Sequence, residues 1–394
     1  MVSSNSLCNL LNIRYPIIQA GMAGQTTAGL VSAVSNAGGL GILGATSMTP
    51  DQLLETIKKI KEKTVKPFGI NLWIGPSINI NKNQDELSVQ QFLNDKIRNP
   101  LGISLKPEIS DESQGSNLTN NNFQNSSFES KYKEQIKIIL EEEVPVASFA
   151  MGDPFKYIDK FHTRGIKVMS MVTNVEDAVT LAKNGSDIIM AEGAEAGGHR
   201  SVFNNNQNDQ DVPLIGTMPL VPQVVDGLKK EIKDKAIPVV AAGGISDGRG
   251  LVAAFALGAS GVAIGTRFLV CKESGAFEGY KAQLLSAKES DTIVTKAFTG
   301  LPARLLRNRF LEEYTKSNAK FLSWPLQRSV TEDIYFNAQS KNNADFYPLF
   351  AGQGLRMLKK DQSAEEIVKE IMDESKEQMK TLWNAWKNDD ELLN

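Results

Sequence analysis

The 394-residue chain holds only two cysteines, Cys8 and Cys271, and two histidines, His162 and His199. So few sulfur and imidazole groups exclude a zinc cluster and a disulfide framework, and an intracellular fold held by burial is expected. An excess of one charge is also missing: 43 Lys and Arg stand against 46 Asp and Glu, a net charge of −3. That balance supplies no positive field for a nucleic-acid platform. Long hydrophobic runs are absent as well. The uncharged stretch 250–266 is studded with Gly and Ser and closed by Arg249 and Arg267, so it reads as buried helix plus strand and not as a membrane span. Residues 1–15 have neither a basic region nor a continuous apolar one, so a cytoplasmic location is the expectation.

What the chain does have is an alternation of short apolar runs with amphipathic segments. Runs at 17–22, 40–45, 68–74, 144–150, 166–172, 187–191, 237–242 and 261–269 read as strands that are apolar throughout. Helices are expected between them at 27–36, 132–143, 154–163, 175–184, 221–233 and 248–257. Another opens at Thr49-Pro50-Asp51, an N-cap followed by Pro at the first helical position, and carries a stripe of Leu53, Leu54, Ile57 and Ile60. Eight such units in about 270 residues fit a (β/α)₈ TIM barrel, with a doubly wound open sheet as the alternative. The domain reading is a barrel over 1–270, a helical accessory region over 271–354, and a tail over 355–394 that returns to the barrel. That tail starts at a capping box, Ser363 with Glu366, before the apolar face of Ile367, Ile371 and Met372. A polar excursion, 76–130, interrupts the barrel. Its segment 110–130 is too poor in apolar residues to order itself, and the ends of the excursion are candidates for a lid.

In such a barrel the chemistry sits where strands end. The seventh strand runs into Ala241-Ala242-Gly243-Gly244-Ile245 and the eighth contains Ala263-Ile264-Gly265-Thr266. Glycines there let backbone N–H groups approach a phosphate, Thr266 adds a hydroxyl, and a helix N-terminus supplies a favourable dipole. Ala20, Gly21 and Met22 after the first strand leave room for a flat ring. Asn71, inside an apolar run, offers an amide to a heterocycle or to a partner in the core. After the sixth strand comes Ala191-Glu192-Gly193-Ala194-Glu195-Ala196-Gly197-Gly198-His199-Arg200. His199, between glycines and Arg200, suits proton transfer near neutral pH. Glu192 and Glu195 lack the neighbours a metal site needs, and Glu195 is a candidate to orient Arg200 or His199. His162 lies at an expected helix end and is assigned no chemistry.

Pro16-Ile17-Ile18-Gln19-Ala20-Gly21-Met22-Ala23-Gly24, the 195–200 loop, and Ala241 to Ile245 with Asp247-Gly248-Arg249-Gly250 resemble the nitronate monooxygenase family. Thr299-Gly300-Leu301-Pro302-Ala303-Arg304, Asn308-Arg309-Phe310 and the stretch Tyr347-Pro348-Leu349-Phe350-Ala351-Gly352-Gln353-Gly354 resemble that family's C-terminal motifs. The resemblance implies noncovalent FMN, its phosphate held at Gly243-Gly244 and 263–266, with Ala20, Gly21, Met22, Asn71, Glu192, Gly197 and Gly198 about the flavin and His199 as catalytic base. It further implies oxidation of alkyl nitronates by O₂ to a carbonyl compound and nitrite, without reduced nicotinamide, and a possible homodimer. His199 and Arg200 would stabilise the anionic nitronate. Members of that family usually carry Gln where this chain has Glu192, and Glu there is similar to the FMN-dependent enoyl-acyl-carrier-protein reductases. Those reductases, and related NAD(P)H:quinone reductases, are the alternative.

Overall fold

Four short polar side chains set where helices begin. Thr27 Oγ1 accepts from the Leu30 amide, Thr49 forms a reciprocal capping box with Gln52, Asn174 accepts from Asp177, and Asp247 accepts from Arg249 and Gly250. The computed structural model describes residues 5–75, 85–106, 121–201 and 212–387. Segments 76–84 and 107–120 of the polar excursion lie outside the described residues, and so does part of the expected mobile stretch.

The first units are α1 (Ser6–Leu11), β1 (Ile17–Gln19), α2 (Ala28–Asn36), β2 (Leu40–Gly44), α3 (Pro50–Lys63) and β3 (Phe68–Trp73). Within the excursion α4 (Asp85–Leu93) continues through a π-helical turn, 94–98, into α5 (Asn99–Leu101). Then follow α6 (Asn121–Glu141), β4 (Val146–Ala150), α7 (Phe155–Thr163), β5 (Lys167–Val172), α8 (Val175–Lys183), β6 (Ile188–Glu192) and β7 (Gly198–His199). The second half holds α9 (Thr217–Glu231), β8 (Val239–Ala242), α10 (Gly248–Ala256), β9 (Gly261–Ile264) and α11 (Thr266–Leu269).

Strands β1, β2, β3, β4, β5, β6, β8 and β9 close into one parallel barrel, sealed by β1 against β9 with Ile18 opposite Ala263. The expected TIM barrel is therefore present. Alternate side chains of each strand divide between its inside and its helices. Ile18, Ile42, Val146, Met169, Ile188 and Val240 fill the interior, plugged from below by Leu7 and Leu11 of α1. Ile17, Ile189, Val262 and Ile264 face outward onto the helices. Each such side chain, fully buried, stabilises the fold by about 1.5–3 kcal/mol.

Several boundaries differ from the sequence reading. The last barrel strand ends at Ile264, not 269, because Gly265 takes a right-handed helical conformation and residues 266–269 wind into α11. There the buried Arg267 reaches the Met357 carbonyl, Gln362 and Glu370. Helix α9 starts four residues earlier than expected, at Thr217, where the Glu195 carboxylate accepts its first amide at 2.8 Å. Helix α6 begins at Asn121, within the stretch expected to be unordered.

Beyond the barrel come α12 (Glu278–Ser286), β10 (Thr292–Thr295), β11 (Ala303–Leu306), α13 (Arg309–Ser317), α14 (Leu326–Ser340) and α15 (Ala364–Lys387). This layer is mainly helical, as expected, but it also holds an antiparallel sheet in the order β10, β11, β7 that the sequence pattern did not reveal. Val89, Leu93 and Ile97 of the excursion pack into this layer's own core. Helix α15 starts at the Ser363–Glu366 capping box and buries Ile367, Val368 and Ile371 against α2 and α10, the place of a barrel's eighth helix. Among the described residues no helix is long and apolar enough to cross a membrane.

Candidate active site

A cavity of about 340 Å³ opens at the carboxyl ends of the strands, between the barrel and the accessory layer. Its size suits a small molecule with a flat cofactor. The positions proposed from sequence border it except Glu195, Arg200 and Ile264, the last with its side chain pointing out into the helical layer. Period-two alternation is the reason: its neighbour Ala263 faces inward and Ile264 does not.

The floor is shaped by backbone. Gly243 (φ +109°) and Gly244 (φ +70°) occupy left-handed conformations that side chains resist, and a Cβ on Gly243 would stand 3.0 Å from the Ala196 nitrogen. Thr266 Oγ1 accepts from the Gly352 amide at 2.9 Å, which leaves its own hydroxyl proton to donate. At Gly197 a Cβ would fall 2.4 Å from the Ala351 carbonyl carbon, so segment 350–354 can lie directly on this loop only because glycine stands there. Asn71 donates to Ser148 Oγ at 3.1 Å and still borders the cavity, joining the two roles the sequence left open.

The two carboxylates of the 191–200 loop are both committed to the protein. Glu192, fully buried, pairs with Arg200 at 2.6 Å and accepts the Ser201 amide at 3.1 Å. Burial pushes its carboxyl upward, against the pull of the Arg200 guanidinium and the Ser201 amide. Arg200 also donates to the carbonyls of Gly193 and Glu192 and is wholly buried, so it does not face a substrate as the sequence reading expected. Glu195 orients neither Arg200 nor His199. Its carboxylate takes the amide and hydroxyl of Thr217, whose hydroxyl also reaches the Gly243 carbonyl at 2.9 Å, tying the loops after β6 and β8 to α9.

His199 is not held between flexible glycines; it lies in β7, opposite Ala303 of β11. Nε2 lies 2.8 Å from Thr299 Oγ1, and the ring meets Trp73 edge-on at 4.7 Å and Phe350 at 5.1 Å. Burial, and then the charge of Arg328, push its pKa down to about 3, so the imidazole is neutral at physiological pH, not poised near 7. Arg304 braces the same sheet through the Ala194 carbonyl at 2.8 Å and Thr292 Oγ1 at 2.9 Å. His162 sits at the end of α7, 2.9 Å from Asp187 and outside the cavity lining.

The sequence reading missed Trp73, Arg328 and Tyr335 as lining residues. It quoted Thr299 and Phe350 within motifs but gave them no role; a hydroxyl a few residues before the strand that meets the histidine loop was the available signal. Gln25 Nε2 donates to the Tyr347 hydroxyl at 3.0 Å, while Gln25 Oε1, also buried at the cavity wall, has no partner within the protein. No grouping of three or more metal-ligating side chains occurs among the described residues.

Comparison with known proteins places this geometry. The sequence pattern of the family described as nitronate monooxygenase matches residues 4–374. A protein of Staphylococcus saprophyticus named "Probable nitronate monooxygenase" is 39% identical over 383 residues, covering 96% of this chain and 99% of the relative. One of the same name from Staphylococcus aureus is 36% identical, covering 91% and 93%. Among solved structures, nitroalkane oxidase from Streptomyces ansochromogenes superimposes with a TM-score of 0.80 at 30% identity, over 95% of this chain and 99% of that one. FabK from Thermotoga maritima does so with a TM-score of 0.72 at 30% identity, over 98% and 100%.

Proposed function

The chain belongs to the nitronate monooxygenase family and is an oxidoreductase, and from that premise we propose that it oxidises alkyl nitronates with O₂ to a carbonyl compound and nitrite, using noncovalently bound FMN. The residues present fit that cofactor. The positive-φ turn at Gly243-Gly244, Gly265 and Thr266 with its free hydroxyl proton border the cavity and would cradle the phosphate. Ala20, Gly21, Met22, Asn71 and Gly197 border the space beside it, and the unpartnered Gln25 Oε1 is a buried acceptor on the same wall. When bound, the flavin supplies the electron acceptor for the substrate and the site of reaction with O₂.

The chain's own residues do the rest. Trp73, Met151, Phe350 and their neighbours keep the space above apolar and exclude water. Thr299 holds the His199 ring in one orientation. His199 is the base of the site, but a base weakened this far removes the α-proton of a neutral nitroalkane slowly, whereas a nitronate arrives already deprotonated. With a nitronate, the neutral ring orients the anion. The observation that carries the reading is the His199 ring, fixed by Thr299 against Trp73 and Phe350 on the wall of the cavity.

A second reading, nicotinamide-dependent reduction of an enoyl thioester or a quinone, is favoured by the likeness to FabK. Its sequence argument was Glu192, and that carboxylate is occupied by Arg200 and Ser201. Anaerobic stopped-flow mixing of the FMN-loaded protein with propane-2-nitronate, NADH or NADPH separates the two. Rapid flavin bleaching by the nitronate alone is expected; bleaching by a nicotinamide and not by the nitronate would overturn the proposal.

A further inference from the structure

Helix α14 brings one cation to the cavity. Among the described residues that line it, the only side chains with a full charge are Glu192, neutralised by Arg200, and Arg328. Other lining groups are apolar, aromatic, hydroxyl or amide. Arg328 is therefore the one cationic side chain on this wall not held by a buried partner, and its charge acts on His199. From this we infer that Arg328 is the specificity residue that makes the cavity select substrate in its anionic form; the inference rests on the nitronate reading and deepens it.

The mounting of Arg328 supports that role. Its Nε lies 3.6 Å from Glu332 Oε2, and with both side chains more than a third exposed this is a loose, solvent-screened pair that can yield to a ligand. The helix beneath it is not loose. Gln327 Nε2 donates to the Ala297 carbonyl at 2.5 Å and Thr331 Oγ1 to the Phe298 carbonyl at 2.6 Å, residues immediately before Thr299, which holds His199. On another side Asp333 is gripped by Arg98 at 2.8 Å and Lys106 at 3.0 Å, both from the excursion. Cation and histidine are thus mounted on one frame, and the described part of the excursion buttresses it instead of lining the cavity.

Other charges near His199 are spent elsewhere. Arg200 and Glu192 neutralise each other, Glu195 is held by Thr217, and Arg304 binds Ala194 and Thr292. Arg328 thus does two things that act together: it attracts an anion, and it disfavours a proton on His199. A neutral nitroalkane gains nothing from the first and is penalised by the second.

The test compares wild type with Arg328→Gln and Arg328→Lys, each loaded with FMN. Benzoate and benzamide, an anion and its neutral isostere, are titrated by calorimetry, and KM and kcat are measured for propane-2-nitronate and 2-nitropropane. Wild type and the lysine variant should prefer benzoate. The glutamine variant should lose that preference, raise KM for the nitronate by about tenfold, the effect of losing one charge-assisted hydrogen bond, and change kcat less. Its acid limb should move to higher pH. Retention of the benzoate preference by Arg328→Gln, or its absence from wild type, overturns the inference. If wild type prefers benzoate but is reduced only by nicotinamide, the nitronate reading fails while the anion selectivity stands.

Discussion

Thr299 and His199, a hundred positions apart in sequence, meet with Oγ1 and Nε2 2.8 Å apart. The contact exists because β11, just after Thr299, pairs with β7, which carries the histidine. Replacing Thr299 by Val removes the partner while keeping the volume. The expected result is a fall in kcat/KM of up to about tenfold, the net worth of one such hydrogen bond, with Thr299→Ser largely restoring activity. Steady-state kinetics on the two variants check this.

The buried Glu192–Arg200 pair predicts a stability effect instead. Glu192→Ala leaves the Arg200 charge without its partner and should cost about 3–5 kcal/mol, whereas Glu192→Gln, which can still accept, should cost less. Urea denaturation measures both. If Glu192→Gln changes the response to NADH while leaving stability alone, the carboxylate faces a ligand after all.

Gly197 permits the contact between its loop and segment 350–354. Gly197→Ala would set a Cβ 2.4 Å from the Ala351 carbonyl carbon, and either loop must shift. Since Thr266 is bonded to Gly352 in the same place, purified Gly197→Ala protein should retain less flavin than wild type by visible absorbance.

The depressed pKa of His199 fixes the sign of a pH effect on folding. The unfolded chain protonates this ring near 6.5 and the folded chain only near 3, so the unfolded state binds more protons between those values. Stability from this residue is complete above about pH 6.5 and falls as the pH drops, by at most about 1.4 kcal/mol per unit. Unfolding free energies at pH 7 and pH 5, in wild type and His199→Asn, give the comparison; the variant should lose less on acidification.

Much of this was legible locally. Uniformly apolar runs and capping residues such as Thr49 and Ser363 are read within one turn of chain, and they located all eight barrel strands and the start of the last helix. Where the local signal misled, a distant partner had intervened. Thr217 begins a helix because Glu195 caps it, and residues 266–269 coil around Gly265 with Arg267 anchored on the C-terminal segment. The role of Glu192 could not be read from its loop, since a carboxylate eight residues from an arginine can face solvent, ligand or that arginine, and only burial decides.

By itself, then, the sequence determined the barrel, the end at which its cavity opens and the histidine that stands there, because alternation, capping and glycine placement act over a few residues. The tertiary structure alone decided the state of that histidine. Its pKa is pushed down by the packing of Trp73 and Phe350 and by the charge of Arg328, brought in by a helix more than a hundred residues later. An ionisable group takes its chemistry from what surrounds it in space, and along the chain those surroundings are scattered from Trp73 to Phe350.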